Sequence, residues 1–331
     1  MKEFKMFCGL SGAGKSSYIQ DFVHKLRAEC YNVEVLSSDA LRKEVYGDVN
    51  DQTHNKEVFD IIHTKIRQWA TREYNKRDIL IVDATNLTRK NRMAMLNIVK
   101  QSKDVSDIHC SVVVIATPVE KCIANDAMRE RTVGRDVILK QLCKFSVPQR
   151  FEGWDEIDFV RDQGVDFKHS YDIMERMIGV DQNNPHHKYT LFEHCMKARY
   201  IAEAITRCRE VAVAAQYHDI GKLFTKTTDE NGVSHYYNHA NVSAYYMMVN
   251  SDLLKETSAY YIDVMRVLFL IENHMIIRDI DKHCSKKYRK IWGDTLYDEV
   301  LYFSKIDEEA SSVSREEHIE LDNRKKENEN N

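Results

Sequence analysis

Five short apolar runs punctuate the first half of the chain: Phe4 to Cys8, Asn32 to Leu36, Asp78 to Asp83, Cys110 to Ala116 and Glu156 to Val160. The continuous, β-branched ones predict strands buried on both faces, the mark of a parallel sheet between helices. The last run alternates Ile157 and Val160 imperfectly and predicts a strand that closes the sheet edge. Between the runs the period becomes helical. Ser16 to Ala28 offers Tyr18, Phe22, Val23 and Leu26 as its apolar positions, and Glu57 to Trp69 offers Val58, Ile61, Ile62, Ile66 and Trp69. Past residue 181 the strand-like runs vanish. Helices are expected at Leu191 to Ile205, Val211 to Tyr217, Asn241 to Met248, Ser258 to His274 and Thr295 to Ala310. The pattern predicts two domains: α/β over residues 1–165, then all-α over 182–315. A polar linker, 166–181, lies between them, and the charged, Asn-rich 316–331 is expected to be disordered.

A length of 331 residues is comfortable for two cores. The net charge of −4 gives no global signal for nucleic acid, so any such site must be a local basic patch. No apolar run approaches membrane-spanning length, and the N-terminus enters a strand directly, without a signal peptide. Eight scattered cysteines, with no Cys-x-x-Cys pair, suit buried thiols in a reducing compartment. The expectation is a cytoplasmic protein that touches no membrane.

Chemistry enters with Gly9-Leu-Ser-Gly-Ala-Gly-Lys-Ser16, directly after the first strand and before a helix. This is a phosphate-binding loop in its strand–loop–helix setting. Gly9, Ser11, Gly12, Ala13, Gly14, Lys15, Ser16 and Ser17 are expected around ATP, with Lys15 on the outer phosphates and Ser16 on Mg²⁺. Asp83 ends the third strand, where a carboxylate can hold the Mg²⁺ shell. Thr85 and Asn86 add hydrogen-bonding groups near an acceptor. After the second strand come Asp39 and Arg42. Asp39 suits a proton acceptor for an incoming hydroxyl and equally suits a helix N-cap. Arg42 suits a phosphate contact. Arg129, Arg131 and Arg135 suit a lid over triphosphate charge, and equally a solvated helix face.

The loop, the Asp39-x-x-Arg42 pair, the Asp83-Ala-Thr-Asn-Leu87 segment, the arginine cluster and Phe151-Glu-Gly-Trp-Asp-Glu156 together resemble the polynucleotide 5′-hydroxyl kinase family over residues 1–160. The resemblance implies that Asp39 is the general base, that Arg42 contacts the acceptor phosphate, and that a lid arginine, one of Arg129, Arg131 and Arg135, contacts the donor.

The second half carries His194, the fused pair His218-Asp219, His239, His274 and Asp307. Val211-Ala-Val-Ala-Ala-Gln-Tyr217 is almost wholly apolar, so the pair that follows it is delivered into a core. An ionised carboxylate there needs a cation or a dense set of hydrogen bonds. Any one of these histidines alone suits a satisfied core residue. Five segments that each bring a His or Asp from an apolar face suit a transition-metal site. The set resembles the HD phosphohydrolase superfamily over residues 182–310, and Gln182-x-x-Pro-His-His187 looks like the HD domains attached to tRNA nucleotidyltransferases. The resemblance implies Mn²⁺, Ni²⁺, Co²⁺ or Fe²⁺, with Asp219 bridging two ions, His239 and His274 serving a second metal, and activated water attacking phosphorus. Lys222, His186 and His187 are candidate phosphate contacts, and equally solvated loop residues.

A 5′-OH kinase and a phosphoesterase on one chain imply RNA end healing. One half phosphorylates 5′-OH ends, and the other removes 2′,3′-cyclic, 2′- or 3′-phosphates. The partners are then nucleic-acid ends, tRNA fragments among them, and an RNA ligase acting downstream. Fusions of the two modules belong to the RNA-repair family with the halves in the opposite order. Two alternatives fit the same residues: a small-molecule or nucleoside kinase fused to a nucleotide phosphohydrolase, and a regulatory module that senses a nucleotide without turnover.

Overall fold

Strands form where the β-branched runs lie: β1 (Lys2–Cys8), β2 (Asn32–Ser37), β3 (Asp78–Asp83), β4 (Ile108–Ala116) and β5 (Glu156–Arg161). The computed structural model describes residues 2–49, 53–73, 77–102, 108–161, 169–183, 188–252, 262–276 and 282–311. The chain divides into two units, Met1–Gln163 and Gly164–Asn331. In the first, all five strands pair in parallel in the order β2-β3-β1-β4-β5. Its helices are α1 (Lys15–Ala28), α2 (Ser38–Tyr46), α3 (Asn55–Thr71), α4 (Arg89–Lys100), α5 (Val119–Ala127) and α6 (Arg135–Lys144). The central β1, β3 and β4 are buried along almost their whole length. β2 and β5 are the edges and are only partly covered, which is why β2 leaves Val35 37% exposed despite its apolar sequence.

Helix α3 buries Val58, Ile62, Ile66 and Trp69, the expected face. Each such side chain contributes roughly 1.5–3 kcal/mol of burial. Helix α1 is rotated from its expected face. Ile19 and Val23 are buried, whereas Tyr18 is 38% exposed and stacks on Phe22. Aromatic rings can cover apolar surface from the rim of a helix, so a count of apolar positions misplaced the stripe. The parallel register Phe7↔Asp83 and Ser37↔Asp83 sets the carboxyl ends of β1, β2 and β3 along one rim. In open α/β sheets that rim is where ligands bind.

The second unit is helical: α7 (His169–Met177), α8 (Leu191–Ile205), α9 (Arg209–Tyr217), α10 (Lys222–Thr225), α11 (His239–Val249), α12 (Val264–Asn273), α13 (Lys282–Trp292) and α14 (Asp294–Ser311). A two-residue hairpin, β6 (Thr227–Thr228) and β7 (Ser234–His235), interrupts it and is too short to leave a periodic signal. Thr190 and Glu193 form a capping box that starts α8 where expected. Two expectations need correcting. The segment read as a linker holds α7, which buries Ile173 and Met177. The helix expected from Ser258 begins at Val264, where the Asp263 side chain accepts the Arg266 N–H. Residues 253–261, with the first part of that expected helix, and the expected tail 316–331 lie outside the described residues. Among the described residues no helix is long and apolar enough to cross a membrane.

Candidate active sites

The phosphate loop is built by backbone that only glycine allows. Gly12 and Gly14 have φ of 79° and 92°, and a Cβ on Gly12 would lie 2.0 Å from the Cys122 carbonyl oxygen. The loop is fastened on its β4 flank. Thr117 Oγ1 donates to the Ala13 carbonyl at 2.8 Å, and Asn125 Nδ2 donates to the Gly12 carbonyl at 2.9 Å. Gln141 clamps Ser11 from both ends of its amide, accepting from Ser11 N at 2.8 Å and donating to Ser11 Oγ at 2.9 Å. Lys15 is buried and donates to the carbonyls of Gly9 and Leu10. Burial lowers its pKa, and the Asp83 charge acts in the opposite direction. Ser16 Oγ donates to Asp83 Oδ2 at 3.1 Å. Burial raises the Asp83 pKa, against the pull of Lys15. A hydroxyl and a strand-end carboxylate that already meet form a donor pair fit for Mg²⁺ beside a triphosphate. Ser17 follows on the exposed first turn of α1.

Asp39 is not the helix cap. Ser37 holds that position, its Oγ accepting from Ala40 N. The Asp39 carboxylate instead meets Arg42 at 2.7 Å and Arg131 at 3.0 Å while staying 58% exposed. Arg42 is buried and donates also to Asn55 Oδ1, so it is a rigid post. Arg131 reaches Asp39 because Asp126 closes the loop that carries it, accepting the N–H groups of Val133 and Gly134 at 2.9–3.2 Å. Arg129 lies near enough for its charge to depress Lys15. Arg135 is exposed at the start of α6. Thr117, Asn125, Asp126 and Gln141 carried no motif in the sequence, since isolated polar residues on helices and in the turns before them look like solvated surface. Asn86 differs from expectation. It is buried, with φ +48°, and donates to the Phe7 carbonyl at 2.7 Å. Its amide ties β3 to β1 and does not line the crevice. Thr85 contributes its carbonyl, which accepts from Gly9 N.

In the second unit all six expected residues converge, and all are buried. His218, His239 and His274 each lie within 2.7–2.8 Å, through Nδ1, of the carbonyl three residues earlier. A carbonyl only accepts, so each Nδ1 carries the proton and each Nε2 faces the centre as a donor atom. On one side of Asp219, Oδ2 lies 3.4 Å from both His194 Nε2 and His218 Nε2. Asp307 Oδ1 completes that group at 3.0 Å from His194 and 3.2 Å from His218. On the other side Asp219 Oδ1 lies 3.1 Å from His239 Nε2 and 3.7 Å from His274 Nε2. Metal–ligand bonds of about 2.1 Å place neighbouring ligands about 3.0 Å apart in an octahedron and about 3.4 Å apart in a tetrahedron. The donor set therefore fits two metal ions, with Asp219 facing both groups.

The electrostatics agree with a site that wants positive charge. Burial would lower the His194 pKa, but hydrogen bonds to Asp219 and Asp307 push it up to about 9. Burial brings His274 down to about 4. Burial alone would raise Asp219, yet His218 and Lys222 beside it hold it well below the usual carboxylate range. Lys222 is not aimed at a substrate phosphate. Its Nζ donates to Asp219 Oδ2 and Gln182 Oε1, both at 2.7 Å. His186 and His187 lie outside the described residues. Gly221 matters here through close approach: a Cβ on it would lie 2.1 Å from the His239 carbonyl oxygen, and its N–H donates to Ser243 Oγ. The rings of His218 and His274 pack edge-on against Phe303, which fixes their planes.

Residues 5–148 match the family described as AAA domain. Among solved structures the chain is similar to Chaetomium thermophilum Kti12 in complex with ADP-AlF3. The identity is 15% over 53% of this chain and 99% of that one, with a TM-score of 0.39. It is also similar to Mycobacterium tuberculosis APS kinase in complex with AMPPNP and APS, at 18% identity over 53% and 96% of the chains and a TM-score of 0.33. The family match lies within the first unit and covers the strand–loop–helix that carries Gly9 to Ser16.

Proposed function

We propose that the chain heals broken RNA. Its first unit transfers the γ-phosphoryl group of ATP to a 5′-hydroxyl, and its second hydrolyses a 2′,3′-cyclic, 2′- or 3′-phosphate at the opposite end. The observation that carries this reading is the pairing, on one chain, of an Arg-held carboxylate beside a phosphate loop with a donor cluster on both oxygens of Asp219. In the first unit Asp39 accepts the proton of the attacking hydroxyl. Arg42 orients it, and the exposed half of its carboxylate meets the acceptor. Lys15 and the loop N–H groups hold the β- and γ-phosphates, and Ser16 and Asp83 would hold a Mg²⁺ ion, which would supply neutralising charge beside them. A P–O bond forms to the acceptor oxygen as the bond to ADP breaks.

In the second unit His194, His218, Asp219, His239, His274 and Asp307 would hold two ions of Mn²⁺, Ni²⁺, Co²⁺ or Fe²⁺. Such ions supply a water nucleophile at neutral pH and polarise the phosphoryl oxygens. Lys222 keeps Asp219 ionised and fixed in its plane. The Nδ1 hydrogen bonds fix the imidazole tautomers. The test uses ATP, Mg²⁺, Mn²⁺ and a cleaved RNA bearing 5′-OH and 2′,3′-cyclic phosphate ends. Asp39→Ala is expected to abolish 5′ phosphorylation and spare the 3′ end, and Asp219→Ala to do the reverse. Phosphorylation of nucleosides or sugars in place of oligonucleotide ends would overturn the RNA assignment. Loss of both activities from either change would overturn two independent sites.

A further inference from the structure

A groove runs from the phosphate loop along α1, and beyond Ser16 and Asp83 the chemistry above does not use it. It has a volume of about 560 Å³, and its head is formed by Ser16, Asp83 and Ser37. That volume falls within the range of about 300–1,000 Å³ typical of ligand pockets. From the head it follows α1. Gln20, His24 and Arg27 succeed Ser16 at helical spacings of four, four and three, so they share one face. At 1.5 Å per residue the run to Arg27 is about 17 Å long. Its floor is apolar: Ile19, Val23 and the exposed Val35 of the edge strand β2. Glu34 points to the opposite face of β2, where it meets Arg72, so it does not oppose an anion in the groove. Among the described residues Arg27 makes one long hydrogen bond, 3.4 Å to the Val33 carbonyl, which leaves most of its guanidinium to a ligand.

The groove lies on the acceptor flank. Thr117, Asn125 and Gln141 fasten the loop on its β4 side. The groove opens toward β2, and Asp39 stands two residues past Ser37. A monosaccharide would fill only the head. An apolar floor edged by donors and ending in an arginine suits stacked bases with backbone phosphates alongside. We propose that this groove seats the first two nucleotides of a single-stranded acceptor. Their bases lie on the exposed Val35, over the buried Ile19 and Val23, and their phosphates face Gln20, His24 and Arg27. The proposal rests on the kinase reading above.

The experiment uses the full chain with ATP and 5′-OH acceptors of increasing length: a nucleoside 3′-phosphate, a dinucleotide and a trinucleotide. Arg27→Gln and His24→Ala are expected to raise KM for the trinucleotide about 5–10-fold, the scale of one charge-assisted phosphate contact. KM for the nucleoside 3′-phosphate and for ATP should stay within twofold, and Arg27→Lys should restore most of the loss. Equal effects at every acceptor length, or none, would overturn the groove assignment and leave the kinase reading standing. Should no oligonucleotide be phosphorylated at all, the kinase reading fails. Fluorescence anisotropy of a 3′-labelled hexanucleotide then decides the groove: weaker binding by Arg27→Gln supports it, and unchanged binding overturns it.

Discussion

Gly221→Ala is the smallest change expected to break the second site without touching a ligand. Gly221 has an ordinary helical φ of −60°, so the backbone itself tolerates alanine. Space does not. The new methyl would sit 2.1 Å from the His239 carbonyl oxygen and 2.8 Å from Ser243 N and Oγ. Non-bonded carbon and oxygen settle near 3.3 Å or beyond, so the Asp219–Gly221 turn and the start of α11 must part by about 1 Å. His239 Nε2 and Asp219 Oδ1, now 3.1 Å apart, would then separate to about 4 Å, beyond the spacing of about 3.0–3.4 Å that adjacent ligands keep on one ion at bonds of about 2.1 Å. Overpacking of this kind costs about 1–3 kcal/mol. For a unit of this size that is a Tm loss of roughly 3–10 °C. The assay is calorimetry of the purified chain together with metal analysis after Mn²⁺ loading. Wild type should hold two ions per chain, and the variant should keep the one served by His194, His218 and Asp307. Two ions per chain and a Tm within 1 °C of wild type would refute the packing argument.

Asp126→Ala removes the carboxylate that closes the lid loop and frees Arg131 from Asp39. It should lower kcat for 5′ phosphorylation about 10-fold or more with little change in KM for ATP, and an unchanged kcat would count against a positioning role. Arg92→Met leaves Glu152 buried without the guanidinium that contacts both its oxygens at 2.6–2.9 Å. Loss of about 3 kcal/mol from the first unit is expected, read by denaturant titration, because Glu152 would keep Arg89 only at 3.6 Å, along with the Trp154 N–H, and breaking a buried pair is costly. Cys8 and Cys110 are raised by burial to about 11 and 12, so at pH 8 almost none of either thiol is thiolate. Mass spectrometry after alkylation of the folded chain should find the exposed Cys30 modified and these two intact, their reactivity growing only as pH climbs toward those values.

The phosphate loop was legible because its chemistry is contiguous: eight neighbouring residues carry the turn, the cation and the hydroxyl. The strands were legible because burial on both faces writes a continuous apolar run. The clustered histidines could be singled out because each follows or lies within an apolar helix, an odd place for imidazole. Face and partner were not legible. Rotation of α1 depends on what covers it, and a count of apolar positions cannot see that Tyr18 is a rim and Ile19 a core residue. Asn86 reads as a site group but pairs with a carbonyl 79 positions away. Lys222 reads as a phosphate contact but neutralises Asp219.

What the amino-acid order determined by itself is local: the alternation of strand and helix, the change to helix alone after the middle, and the loop that grips phosphate. These follow from backbone periodicity and from groups a few bonds apart. What only the folded chain decided is distance. Asp39 meets Arg131 across 92 positions, and His218 meets Asp307 across 89. Asp219 turns one oxygen to each half of the cluster only because Gly221 lets α11 approach. Charge and metal chemistry fall off over a few ångströms, and separation along the chain does not encode separation in space.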